Sequence, residues 1–515
     1  MGLRRALAAL LVLALGAAAS EDFSEVAKLV ASDGAAADRF GTSISTHGDL
    51  TVVGAFLDDD AGSQSGSAYV YRTVDGVTTE VAKLVGDDAD SKDRFGTSVA
   101  VHNDIIVVGA IWEDDYGYDD DGHGSSGSAY VFKATDDGAT WTQVAKLRAD
   151  GVPMSLTFGS SVSISNDIIV VGATEAGNNH AAGAGSAYVF KTTDGGATWA
   201  QQAKLVASDA ARSDRFGSMV SLHGGVVVIG APTDYYSTTN PGAAYIFRTN
   251  DGGATWTEEA KLTADDVGAN DQFGVAVAMS TSGDFAAVAA WADGGGNNAG
   301  AVFVFRTSGA SWTQVAKLEA SDPAANAYFG RDVSISGSTL VVGANGNDDH
   351  GSGSGSVYVY ETSDGGTTWT QAAKLVATDD PAAKDNFGIA VSMSQKLIAV
   401  GVSKDDDAGS DSGSAYLFQA PQPAPAPTPF PVANVEDLTE DKGYGPSGFI
   451  VDSLSASSDS GVTRVALLSC LDNGACPSAF TLDDSGIASE VTPSSIVHNC
   501  SFCLGWTLNL KSLIR

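Results

Sequence analysis

A Phe-Gly pair that returns seven times sets the tightest limit on how this 515-residue chain can fold. The pairs begin at Phe40, Phe95, Phe158, Phe216, Phe273, Phe329 and Phe387, always 55 to 63 residues apart. After each comes a Val-Val-Gly-Ala run or a variant of it: Val52–Ala55, Val107–Ala110, Val170–Ala173, Val228–Ala231 and Val341–Ala344. The fifth copy thins to Val288–Ala290 and the seventh to Ala399–Val402. A Gly-Ser-Ala-Tyr-Val-Phe-like run follows, ending at Tyr71, Phe132, Phe190, Phe247, Phe305, Tyr360 and Phe418. An Ala-Lys-Leu triplet also occurs seven times, with Lys28, Lys83, Lys146, Lys204, Lys261, Lys317 and Lys374 at its centre.

Each unit therefore holds four short β-type runs. Period-two alternation marks Ser98–Val101 and Ala129–Phe132, and no run has helical periodicity. Four strands per unit, repeated at this spacing, is the signature of a β-propeller. A chain this long needs such a modular plan, because a single core stops growing well short of it. The first Ala-Lys-Leu precedes every Phe-Gly, and none follows Phe418. Seven full blades result only if the N-terminal strand supplies the fourth strand of the last blade. The expected fold is all-β: a seven-bladed propeller over 21–419, closed by that strand. The lysines fall on the outer strand, where a charge discourages edge-to-edge pairing.

Phe-Gly followed by Val-Gly-Ala resembles the FG-GAP repeat of integrin alpha-like propellers. The resemblance implies a seven-bladed ring and a binding or adhesion role. The calcium loop of the integrin type is absent, since only His102-Asn103-Asp104 or Ser165-Asn166-Asp167 joins the first two strands. The third-to-fourth hairpins resemble the Asp-box of sialidase-like propellers: Thr192–Trp199, Thr249–Trp256, Thr362–Trp369 and, less closely, Ala134–Trp141. Asp136, Asp194, Asp251 and Asp364 are expected to accept turn amides, and Trp141, Trp199, Trp256 and Trp369 to pack at the blade edge. The same resemblance offers a glycosidase as an alternative, with Arg39, Arg94 and Arg215 as a carboxylate-binding cluster. Each of these arginines directly follows an aspartate, so local pairing is the simpler account, and no nucleophile–base pair can be assigned.

Charge narrows the partners. The chain carries 63 acidic and 28 basic residues, a formal net charge of −35. That argues against nucleic acid and anionic membranes as partners and favours cations or basic surfaces. Because strands alternate in direction, loops 2–3 and 4–1 share one face, which holds over half of the acids. The clusters Asp58-Asp59-Asp60, Asp119-Asp120-Asp121 and Asp405-Asp406-Asp407 are candidate calcium ligands, together with Asp88 and Asp93 of the 4–1 loops. The plainer reading of the recurrent 4–1 pair is a turn in which Asp binds its own loop amides. His47, His102 and His223 mark the opposite face, at 1–2 hairpin tips expected to be spread apart and exposed. Arg331-Asp332 places charges on an inner strand where other copies have small residues, either lining the channel or pairing.

The ends carry other signals. Residues 1–20 have Arg4 and Arg5 before an apolar run from Ala6 to Ala19, the pattern of a secretory signal peptide, and no other stretch could cross a bilayer. Residues 420–432 form a proline-rich spacer. Residues 433–515 hold Cys470, Cys476, Cys500 and Cys503, candidates for one or two disulfides with zinc as the alternative. Asn499 begins a glycosylation sequon. The whole reads as a secreted, monomeric, non-catalytic protein that binds an extracellular protein or carbohydrate, with calcium as its one candidate cofactor. A purely structural extracellular protein is the third reading.

Overall fold

The computed structural model describes residues 23–113, 126–136, 138–150, 157–176, 183–233, 240–294, 297–309, 311–379, 382–394 and 397–420, with four short strand pieces between 450 and 470. The chain divides into two units, Met1–Gln422 and Pro423–Arg515. In the second, Ile450–Val451 pairs with Ser469–Cys470, and Ala456–Asp459 with Val462–Val465. Cys476, Cys500, Cys503, Asn499, the expected signal peptide and nearly all of the spacer lie outside the described residues.

Seven four-stranded antiparallel sheets make up the first unit. Blade one runs Phe40–His47, Leu50–Ala55, Ser67–Val74 and Val77–Leu84, paired in chain order. Blade seven takes three strands from the end of the unit and its fourth, Ser24–Leu29, from the start. That strand lies antiparallel to Ser414–Gln419, with Lys28 opposite Tyr416. The expected closure by the N-terminal strand is present.

The repeated residues join the blades. Every motif Phe is buried to 0–1 % exposure. Each meets two aromatics of its own third strand edge-on or tilted, as Phe40 meets Tyr69 at 5.4 Å and Tyr71 at 6.0 Å. The Phe amide donates to the 2–3 loop of the preceding blade: Phe95 to Ser65 O at 2.9 Å and, across the ring closure, Phe40 to Ser412 O at 2.9 Å. The two motif glycines serve one contact. A Cβ on Gly54 would lie 2.1 Å from the carbonyl of Gly96 in the next blade. Gly96 itself has φ +90°, a conformation that L side chains rarely adopt. The degraded fifth copy keeps a regular second strand, Phe285–Ala290, wholly buried.

Inner strands are joined by hydroxyls. Ser161 Oγ accepts Val220 N–H at 2.9 Å, Ser221 Oγ accepts Met279 N–H at 3.0 Å, and Ser392 Oγ accepts Thr46 N–H at 2.9 Å. Inner strands have no partner on their axial side, so each serine satisfies an amide of the next blade. Small polar residues on the first strand follow from that need. Together they enclose an axial cavity of about 290 Å³.

Candidate functional site

The loop face named by the acidic clusters is built from one node repeated blade by blade. In each blade the Ala-Lys-Leu lysine lies directly opposite the third-strand aromatic: Lys83 opposite Tyr69, Lys146 opposite Tyr130, Lys204 opposite Tyr188, Lys374 opposite Tyr358. That register sets the ammonium over the ring, 5.0 Å from the Tyr69 centroid and 5.1 Å from that of Tyr130. The lysines thus do more than guard an edge.

The recurrent 4–1 aspartates meet these lysines. Asp33 Oδ1 accepts the Tyr69 hydroxyl at 2.8 Å and Oδ2 lies 2.7 Å from Lys83 Nζ. Asp88 repeats this with Tyr130 and Lys146, Asp209 with Tyr245 and Lys261, and Asp322 with Tyr358 and Lys374. These bonds hold Asp33, Asp88, Asp209 and Asp322 below the usual carboxylate range, against the opposing effect of burial.

The second aspartate of each pair works inside its loop. Asp38 accepts the Ala35 amide at 2.6 Å, Asp93 that of Asp90 at 2.7 Å, and Asp214 that of Ala211 at 2.6 Å. Burial pushes Asp38 up to about 6, and raises Asp214 and Asp271 as well.

The 2–3 loops add a further carboxylate acceptor. Asp58, 3 % exposed, lies 2.7 Å from Tyr69 OH, sharing that one hydroxyl hydrogen with Asp33, and 3.0 Å from Lys83 Nζ, which also pairs with Asp60. Glu113 fills the same place in blade two, 2.6 Å from both Ser128 Oγ and Lys146 Nζ. In blade seven Asp405 lies 2.6 Å from Ser414 Oγ and 3.0 Å from Lys28 Nζ, and Asp407 is 2.6 Å from the same ammonium. Asp59 and Asp406 accept loop amides, from Gln64 at 2.6 Å and Asp411 at 2.6 Å. The proposed calcium ligands of blades one and seven do converge, but on a lysine. Asp119, Asp120 and Asp121 lie outside the described residues. Among the described residues no group of three metal-capable side chains could hold an ion.

The remaining candidates fall elsewhere. Each Asp-box carboxylate is engaged within its hairpin: Asp194 accepts Thr198 N–H at 2.9 Å and Thr198 Oγ1 at 2.6 Å, and Asp136, Asp251 and Asp364 do the same. Trp141, Trp199 and Trp256 donate to Gly138 O, Gly196 O and Gly253 O, and all three, with Trp369, pack on the inter-blade clusters. The three arginines meet groups other than the aspartate that precedes each of them, on which the expectation of local pairing rested. Arg39 pairs with Asp411 at 3.1 Å, Arg215 with Glu175 at 3.7 Å, and Arg94 stacks 3.3 Å above Trp112.

The histidine tips depart from the expectation of spread, exposed turns. His47 and His102 have ring centroids 4.4 Å apart, and His47, His102 and His223 are all half-buried. The 1–2 hairpin ends the innermost strand, so its tip sits near the axis where blades crowd. Burial lowers the pKa of all three. Arg331 and Asp332 line the axial cavity. Asp332 takes the serine's task, accepting Val391 N–H at 2.8 Å, while Arg331 stacks 4.7 Å from the Trp291 centroid.

Sequence reasoning missed the third-strand tyrosines and the inner-strand serines. The signal for the tyrosines was present, since the Tyr of GSAYVF recurs in six of seven copies.

This geometry defines a class, a closed seven-bladed propeller whose blades interlock through Phe-Gly and Gly-Ala elements. The FG-GAP repeat family model matches residues 23–71, 78–132, 141–190, 199–247, 256–305, 312–360 and 369–418, so the chain belongs to the FG-GAP repeat family. No curated protein matches it in sequence. Among solved structures it is similar to Sqt1 of Saccharomyces cerevisiae, at 11 % identity and a TM-score of 0.43, over 78 % of this chain and 100 % of that one. Among the described residues no helix is long and apolar enough to cross a membrane.

Proposed function

We propose that this chain is a secreted, non-catalytic binding propeller of the adhesion type, and that it meets a basic extracellular protein or a glycan with its 2–3/4–1 loop face. One observation carries the reading. The lysine–carboxylate nodes tie down the described parts of these loops, while exposed acids such as Asp87 and Asp265 have no cationic partner among the described residues. A rigid acidic surface steers basic partners and limits the entropy lost on docking. Calcium would have to compete with Lys83 and Lys28 for Asp58 and Asp405, so a weak, salt-sensitive affinity is expected.

The test is surface binding of the full chain to panels of basic extracellular proteins and immobilised glycans. Binding that falls with salt, and falls further in Asp87→Lys/Asp265→Lys, is the expected result. Turnover of a fluorogenic glycoside, abolished by Arg39→Ala or Arg94→Ala, would replace this reading with the Asp-box glycosidase.

A further inference from the structure

Blade three departs from the lysine–carboxylate node described above. Its lysine and aromatic are in register, with Lys204 Nζ 5.5 Å from the Tyr188 ring centroid. Its two acids are missing. Ala176 stands where blades one, two, five and seven have Asp58, Glu113, Asp293 and Asp405, and Gly151 stands where Asp33, Asp88 and Asp209 recur. The bond that closes the loop is kept: Gly185 N–H donates to Ala176 O at 3.0 Å, as Gly66 N–H donates to Asp58 O at 2.8 Å.

All the groups that receive the carboxylate elsewhere are nevertheless in place. Ser128 and Lys146 hold Glu113, Ser414 and Lys28 hold Asp405, and Tyr69 and Lys83 hold Asp58. Their counterparts are Ser186, Tyr188 and Lys204. Tyr188 is 0 % exposed, and its hydroxyl finds no acceptor of good geometry, facing only the hydroxyl of buried Ser186, which, like Ser67 of blade one, has no well-formed bond of its own. Lys204 is exposed and has no ionic partner among the described residues. The two loops that border this place hold two acids, Asp150 and Glu175; Asp150 is exposed and makes no ion pair among the described residues. Glu175, just before Ala176, faces Arg215.

We propose that blade three is a seat for one carboxylate of an external ligand, formed by Lys204 Nζ, Tyr188 OH and Ser186 Oγ. The ammonium gives charge, and the two hydroxyls give the donors that the internal carboxylates use in neighbouring blades. A buried phenol with no charged acceptor, where its counterparts in other blades have one, is a polar group left under-satisfied. The loss of hydration around Lys204, unopposed by any carboxylate, also holds its pKa below the ordinary lysine value. This seat does not depend on the acidic-face reading.

The other blade lysines are internal controls for the test. The full chain is treated with a limiting amine-reactive ester, in acetate or in chloride of equal ionic strength, and labelling at each lysine is read by peptide mass spectrometry. Lys204 is expected to label fastest in chloride and to slow about twofold in acetate at half-saturation, with Lys83 and Lys146 unchanged. A parallel arm uses a glycine peptide with one central glutamate against its glutamine twin. Protection by acetate means a bare carboxylate suffices, and protection by the glutamate peptide alone means the ligand is a side chain. Equal Lys204 labelling in every arm overturns the proposal. Ala176→Asp is expected to slow Lys204 to the rate of Lys83 and abolish the ligand effect. Persistence of that effect in Ala176→Asp would also overturn it.

Discussion

Blade two and blade three share one frame and differ in one place. Both bury the motif Phe against two third-strand aromatics, Phe95 on Tyr130 and Phe132, Phe158 on Tyr188 and Phe190. Both set a lysine over a tyrosine. Blade two completes the node with Asp88 and Glu113, whereas blade three leaves Tyr188 and Lys204 without an acid. The lesson is that the frame and the node are separable. The frame is apolar and is shared between neighbouring blades, so each copy must keep it. The node is local and polar, so one blade can lose its acids while its strands stay in register.

If the frame is common, breaking it should cost the same in both blades. Phe95→Ala and Phe158→Ala are each expected to destabilise the propeller by about 3–5 kcal/mol, measured by urea unfolding. A much smaller cost in blade three would mean that its frame is looser than its neighbour's.

Removing a carboxylate from a complete node comes next. Asp58→Ala strips Lys83 and Tyr69 of their buried acceptor while leaving Asp33, and is expected to cost about 2 kcal/mol in the same unfolding measurement. Adding the carboxylate to the incomplete node should act in reverse. Ala176→Asp is expected to raise stability by about 1 kcal/mol, since it satisfies a buried hydroxyl and pairs a lysine. A loss in Ala176→Asp would show that the place is too tightly packed to accept the side chain.

Acid should split the two aspartates of each 4–1 loop. Asp33, Asp88, Asp209 and Asp322 sit below their unfolded value, so the stability they give is present above about pH 4 and is lost as pH falls through their folded values. Asp38 has the opposite sign. Its folded pKa of about 6 lies above the unfolded value, so the folded form binds the proton more tightly. Stability should therefore rise, by about 1 kcal/mol after allowance for solvent screening, as pH drops from 7 toward 4. Asp38→Asn keeps an acceptor for the Ala35 amide and should flatten that rise. The smallest effect is expected from Lys204→Met, within about 0.5 kcal/mol of wild type, because the lysine has no ionic partner among the described residues to lose.

The sequence made the ring legible because its constraint is repeated. Gly54 against Gly96 is a contact between blades, so the same glycine must return in each copy that makes it, and a single chain displays the pattern. The Asp-box turns were legible for a different reason. Asp194 and Thr198 are four residues apart and bond each other, so short-range chemistry is written in adjacent letters. The node was not legible. Lys83, Asp33 and Asp58 are each recurrent, but nothing in their order shows that they meet. That meeting depends on the register that puts Lys83 opposite Tyr69 and on loops arriving from two connections. The histidines failed for a related reason, since a hairpin tip reads as exposed until its distance from the axis is known.

By itself, then, the sequence determined seven blades, their four strands, the closing role of Ser24–Leu29 and the sign of the charge, because each follows from repetition, alternation or composition. Only the tertiary structure decided where the charges go. Lysine ammonium groups settle on the carboxylates of the loop face because cross-strand register brings both to one tyrosine ring. The same register in blade three, with Ala176 and Gly151 in place of acids, leaves a cation and a buried phenol without an anion.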